Sequence, residues 1–357
     1  MSGSAAVVGA GIFGASLAYR LASDGWDVTL YEHHEPGHLR AASGGESRLI
    51  RYAHGDGEWY MRSAWRAREL WRELEAETGR ELLVESGVAW FARSEDGWEA
   101  ESERLLRADG IPVERLAPDA GRELFPSFDP GDLEFILWEP EAGVLRAREA
   151  TIATAEAAER AGVRLVQREV APGEVEADVV VWACGAWLPG LFELPIRVTK
   201  QDVLFFAAEG WTTPGVPAWV DYDRAIYGLG DLDGTGVKVA PDAEGPAFDP
   251  ERGEREASPE TESRAREYVA TRFPALRDAP LAGFTVCQYA LTPDTNFVLA
   301  RHGEQWILGG GSGHGFKHGP ALAEYAARVV TGEEEPLEQL GLGPRTGGPS
   351  LRTAGTT

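Results

Sequence analysis

Gly9, Gly11, Gly14 and Glu32 are the first residues of this chain whose types and spacing could do chemistry. They form a G-x-G-x-x-G run with an acid placed where a ribose hydroxyl is read in dinucleotide sites. Gly9 makes a tight turn, Gly11 lets the backbone approach a pyrophosphate, and Gly14 lets a helix pack closely on the preceding strand. Ile12 and Phe13 open that helix, whose N-terminus supplies amide donors and partial positive charge. The turn alone does not choose between a nicotinamide and a flavin dinucleotide. After Glu32 the chain continues as a Gly/Ser-rich segment, Ala42-Ser43-Gly44-Gly45-Glu46-Ser47-Arg48, rather than a further β-α-β pattern, and this suits an extended FAD.

Residues 4–8 read as a buried strand, 12–23 as a helix and 27–31 as a second strand, the unit that positions the glycine turn. Helices are predicted over 58–77, where Gly79 supplies a left-handed stop, and over 99–109, 147–161, 264–272 and 320–330. Strands are predicted at 84–91, 163–166, 178–183, 297–300 and 306–308, with short β-rich runs over 196–239 and a long loop over 240–263. The fold class is therefore α/β. A Rossmann-like FAD-binding domain (1–85, 140–195, 290–335) is joined to a mainly antiparallel sheet domain for substrate (86–139, 196–289), and a tail over 341–357 without periodicity is expected to be disordered.

Composition narrows the function. A net charge of −24 repels phosphate backbones and anionic membranes, which excludes nucleic acid and membrane surfaces as expected partners. No apolar run is long enough to span a bilayer, and two cysteines do not make a disulfide framework, so a soluble cytoplasmic protein is expected. No metal site is read from the seven histidines. Of the 34 basic residues only Lys200, Lys238 and Lys317 are lysines, so each lysine calls for a reason.

The glycine turn, GESRLIRYAHGDG (45–57), EPEAGVL (139–145), ACGAW (183–187), GVKV (236–239), VCQYALTPD (286–294) and GSGHGFKHGP (311–320) occur in one order. Together they resemble the monomeric sarcosine oxidase and N-methyltryptophan oxidase family of the D-amino-acid-oxidase-like flavoproteins, over roughly residues 5–331. The resemblance implies a two-domain fold of the glutathione-reductase/D-amino-acid-oxidase kind. It implies FAD carried by Cys287 through an 8α-thioether, although composition alone reads Cys287 as a small buried residue.

The same resemblance makes Arg51 and Lys317 a clamp on a substrate carboxylate and puts Lys238 near flavin N5, where a fixed cation promotes reaction with O2. A solvent-facing strand lysine is the plain alternative for Lys238, and an ordinary surface arginine for Arg51. It sets Arg48 near the flavin ring and Tyr227 in the substrate pocket, and gives Ser43, Gly185, Trp187, Gly313, His314, Gly315 and Phe316 to the cofactor. The implied activity is oxidation of a secondary, N-methyl or cyclic amino acid by hydride transfer to N5, with O2 reduced to H2O2, in a monomer. A biosynthetic imino-acid oxidase or amine dehydrogenase of the same fold is the alternative. Where the family often carries a histidine before the first arginine and another after the lysine, this chain has Gly44 and Asp242, which puts the substrate in doubt.

Overall fold

The computed structural model describes residues 3–347 and 350–352. Ser4–Val8 (β1), Ile12–Ser23 (α1) and Asp27–Glu32 (β2) form the first unit, and β1 and β2 pair in parallel with Val8 opposite Tyr31. The run of apolar residues in β1 follows from its central place in the sheet, where both faces are covered. That sheet has six strands in the order Val298–His302, Gln305–Gly309, Val179–Trp182, β1, β2, Arg164–Gln167, all parallel except the antiparallel edge strand Val298–His302.

A second sheet of eight strands runs Leu281–Leu291, Arg197–Phe206, Val237–Pro241, Ile226–Leu229, Ala218–Asp221, Val88–Ala92, Phe135–Glu139, Glu114–Leu116. It is antiparallel apart from the Ala218–Asp221/Val88–Ala92 pair. A three-stranded sheet of Ser47–Ile50, Gly143–Arg146 and Leu83–Val84 carries Arg48. The strands of the six-stranded sheet lie within 1–85, 140–195 and 290–335. Those of the eight-stranded sheet lie within 86–139 and 196–289, except that Leu281–Leu291 runs past that limit.

Three expectations change. The strand expected at 84–91 is two strands in different sheets, Leu83–Val84 and Val88–Ala92, because Gly87 between them takes a φ of +73° that turns the chain. The loop expected to reach 263 ends at Ser258, whose side chain accepts the Thr261 N–H at 3.2 Å, and the helix Pro259–Arg272 follows from that cap.

The tail is the third. Among its described residues, Arg345 donates to Asp294 at 2.8 Å and to the Phe297 carbonyl at 2.9 Å, and Leu351 is buried in the core against α1 and the helix Gly319–Val330. Low periodicity misled because these residues are held by side chains reaching distant partners rather than by a helix or strand. The expectation for the remaining tail positions lies outside the described residues.

Candidate active site

The glycine turn needs its glycines for backbone reasons. Gly9 has φ +101°, and a Cβ there would lie 2.7 Å from the Ala183 carbonyl oxygen; a Cβ on Gly14 would lie 1.9 Å from the Gly9 oxygen. The Gly9 N–H donates to Tyr31 at 2.7 Å, and Glu32 accepts the Ala10 N–H at 2.6 Å and the His34 N–H at 3.0 Å. Glu32 thus ties the ends of β1 and β2 together at the mouth of the turn. Ser43 Oγ accepts the Ile12 N–H at 3.0 Å at the start of α1.

From this turn one long cavity runs between the two large sheets, lined by Gly9, Gly11, Ile12, Phe13, Glu32, Ser43, Arg48, Arg51, Gly185, Trp187, Tyr227, Cys287, Gly313, His314, Gly315, Phe316 and Lys317. Gly14 and Lys238 are not among the residues that line it. These residues fit an FAD: a backbone cradle that side chains would fill, an amide-rich helix start, and a thiol further along the same cavity. Cys287 lies on Leu281–Leu291 opposite Gln201, and its Sγ accepts from Arg48 Nη2 at 3.1 Å. Arg48 is held in turn by the carbonyls of Ser47 and Ala42, each at 2.7 Å. The guanidinium therefore holds the sulfur in place on the cavity wall.

Lys238, on Val237–Pro241, is 1% exposed and donates to Ser47 O at 3.0 Å and Ser47 Oγ at 3.1 Å, 5.7 Å from the Tyr227 ring centre. Burial first, then the Arg48 charge, push its amine down to about 7. Tyr227 is pushed up to about 12 by burial.

At the far end, Arg51 lies 4.9 Å over the Trp90 ring and donates to the carbonyls of Ala53 and, at 3.1 Å, Leu351. Burial lowers it to about 10 against the opposing pull of Glu139 and Asp242. Glu139 is fully buried yet accepts from Tyr52 N at 2.6 Å, Ala53 N at 3.2 Å and Trp90 Nε1 at 2.5 Å; burial still raises it above the ordinary carboxylate range. Lys317 stands in the short turn Phe316–His318 before Gly319–Val330, donates to the His314 carbonyl at 2.8 Å, and is held well below the ordinary amine range by burial and then by Arg51.

Three features were not read from the sequence. Arg352 reaches the cavity wall from the tail, pairs with Asp242 at 2.9 Å, and lies 4.9 Å over Tyr289, whose hydroxyl also donates to Asp242 at 2.8 Å. His34 stacks between His33 and His38 near Glu32, at 4.3 and 4.1 Å. His54, His314 and His318 bring one ring atom each to within 4.8 Å of one another, a set able to hold a metal ion, where none was expected. His314 and His318 are four apart, a spacing that was available as a signal; His54 had none. Burial and the Lys317 charge hold all three below the usual imidazole range, and that same charge opposes a metal cation.

Comparison with known proteins places these residues in context. A family model described as FAD dependent oxidoreductase matches residues 4–329. The chain is 29% identical to a monomeric sarcosine oxidase of Bacillus sp. (strain B-0618) and 30% to that of Arthrobacter sp. (strain TE1826), over 92% of both chains in each case. It is 27% identical to an N-methyl-L-tryptophan oxidase of Salmonella dublin, over 92% of this chain and 94% of that one. In fold it is similar to an L-proline dehydrogenase of P. horikoshii (TM-score 0.81, 22% identity, 95% and 96% covered) and to NikD, an amino acid oxidase of nikkomycin biosynthesis (TM-score 0.76, 21% identity, 96% and 97% covered).

Proposed function

The chain belongs to the FAD dependent oxidoreductase family, and from that premise we propose that it is an amine oxidase acting on a secondary, N-methyl or cyclic amino acid. The observation that carries the reading is the buried pair Arg51 and Lys317 at the end of the cavity that begins at the glycine turn. FAD, when bound, would supply a two-electron acceptor for the substrate, and its reoxidation by O2 would give H2O2. The protein's residues do the rest. Arg51 and Lys317 hold the carboxylate so that the C–H beside nitrogen faces the cofactor, and positioning of this kind removes most of the entropic barrier. Closely set cations also favour the neutral amine, the form that gives up hydride. The resulting imine is hydrolysed by water.

Cys287, held by Arg48, is the residue that would carry the flavin through an 8α-thioether, and Lys238 is the cation near which O2 would be reduced. The partners are the amino acid and O2, with the enzyme a cytoplasmic monomer. Among the described residues no helix is long and apolar enough to cross a membrane.

Acid precipitation tests the attachment: yellow colour stays in the pellet of the native protein and leaves it in Cys287→Ser, whereas colour in the native supernatant refutes the thioether. An anaerobic screen of N-methyl and cyclic amino acids for flavin bleaching tests the activity, and a protein bleached by none of them refutes it. Peroxide formed in equal amount to substrate consumed separates the oxidase from an amine dehydrogenase.

A further inference from the structure

Arg51 has no free end in this structure. One terminal nitrogen donates to Ala53 and the other to the Leu351 carbonyl at 3.1 Å. The second of these partners comes from residues 350–352, far along the chain, a segment whose Leu351 side chain is buried in the core and whose polar groups reach the end of the cavity at Arg51. Tyr222 Oη donates to Ser350 O at 2.8 Å, the Leu351 N–H donates to Thr295 Oγ1 at 3.1 Å, and Arg352 pairs with Asp242.

The seat is tight at one point and incomplete at another. A Cβ on Gly313 would lie 2.5 Å from Arg352 Cδ, so the arginine stem lies on bare glycine backbone. Yet Arg352 Nε and Nη2, both buried, have no hydrogen-bond partner among the described residues. Orphaned donors on a charged group make an arrangement costly to hold. Leu351 O presents to Arg51 the kind of oxygen that a carboxylate would present, but without its charge.

We propose that residues 350–352 are a strap that occupies the Arg51 subsite and is displaced when a carboxylate binds there. This rests on the reading of Arg51 as the carboxylate clamp. A carboxylate makes a charge-assisted and bidentate contact with a guanidinium that a peptide carbonyl cannot match, so it wins the fork. Losing Leu351 O from Arg51 frees the segment that Asp242 and Thr295 hold, and Arg352 leaves its buried place.

The test uses the unmodified holoenzyme and acetate, a carboxylate with no amine to oxidise. Trypsin cuts after arginine only where the backbone is free, so cleavage after Arg352, read by mass spectrometry, is expected to speed up severalfold with saturating acetate. A variant ending at Gly347 is expected to bind acetate, followed by the change in flavin absorbance, about tenfold more tightly than the full chain, since one charge-assisted hydrogen bond no longer has to be replaced. If acetate binds in a way that Arg51→Lys weakens, yet cleavage after Arg352 is the same with and without acetate and affinity is the same with and without the segment, the strap is refuted and the clamp stands. If acetate binding is absent or indifferent to Arg51→Lys, the clamp itself falls, and the strap with it.

Discussion

Lys238→Met takes a buried amine out of the protein and leaves its length and apolar stem in place. Its pKa falls from 10.5 in the unfolded chain to about 7 in the fold, a drop of about 3.5 units, at 1.36 kcal/mol each. A base whose folded pKa is depressed opposes folding fully below about pH 7, and the penalty fades as pH rises toward 10.5. At pH 7 it amounts to about 4 kcal/mol, against which stand the two hydrogen bonds to Ser47, worth together about 1–3 kcal/mol. Methionine is therefore expected to stabilise the protein by about 1–3 kcal/mol at pH 7, and the gain is expected to shrink by pH 9. Urea denaturation of both proteins at equal flavin loading, at pH 7 and pH 9, measures this. On the functional side, reaction of the reduced enzyme with O2, followed by stopped flow, is expected to slow by about 10²–10³, as when an electrostatic donor is removed, with anaerobic reduction by substrate little changed. A variant that is less stable at pH 7, or a gain that does not shrink at pH 9, refutes the buried charge. An unchanged rate with O2 refutes the role given to the cation.

Gly14→Ala puts a methyl 1.9 Å from the Gly9 oxygen, a backbone atom that cannot give way alone, so α1 must shift from β1 and the turn is disturbed; flavin content per chain after purification is expected to fall at least tenfold, and full content would overturn the assignment of the turn. Asp221 is fully buried and forks Arg93 at 2.6 and 3.0 Å, so Asp221→Asn is expected to cost about 3 kcal/mol by chemical denaturation, and a loss below 1 kcal/mol would refute a buried pair. His54, His314 and His318 titrate near 6.5 when unfolded and well below it in the fold, so their share of stability is complete above pH 6.5 and is lost as pH falls below it. His318→Phe is expected to make the loss of stability at acid pH smaller, as read by chemical denaturation below pH 6.5; an unaltered pH slope in that variant contradicts the buried neutral cluster.

What was legible in the sequence was local. The turn from β1 through α1 to β2 and Glu32 is one continuous stretch in which Gly9 and Gly14 have backbone reasons that follow from their spacing and neighbours alone. The runs around Arg48, Cys287 and Lys317 are also short, and the fold brings all three to one cavity. Less legible was whatever depends on chain pairing across long separations. Nothing at position 242 foretells that Arg352, 110 residues later, closes on it. Nothing near His54 foretells His318, because the two meet only once Glu58–Thr78 and Gly319–Val330 pack together. The tail looked unstructured for the same reason: periodicity detects helices and strands, whereas Arg345, Leu351 and Arg352 are fixed one side chain at a time.

Asp242 shows how the cavity end at Arg51 and Lys317 keeps its charge in balance. A histidine there would be able to stay neutral beside Arg51 and Lys317, so it would need no counter-ion. Asp242 is buried, and burial raises its pKa against the pull of Arg352 and Tyr289, which hold the charged form. A lone buried carboxylate would weaken the cationic clamp by competing for Arg51, since the two already sense each other. Arg352 removes that competition by taking Asp242 for itself, leaving Arg51 to a peptide oxygen that a carboxylate outcompetes. Asp242 and Arg352 are therefore one unit. With the strap seated, the pair leaves the net charge of the pocket as a neutral residue would; once Arg352 leaves, burial favours the protonated, neutral Asp242, so no carboxylate of the protein competes for Arg51.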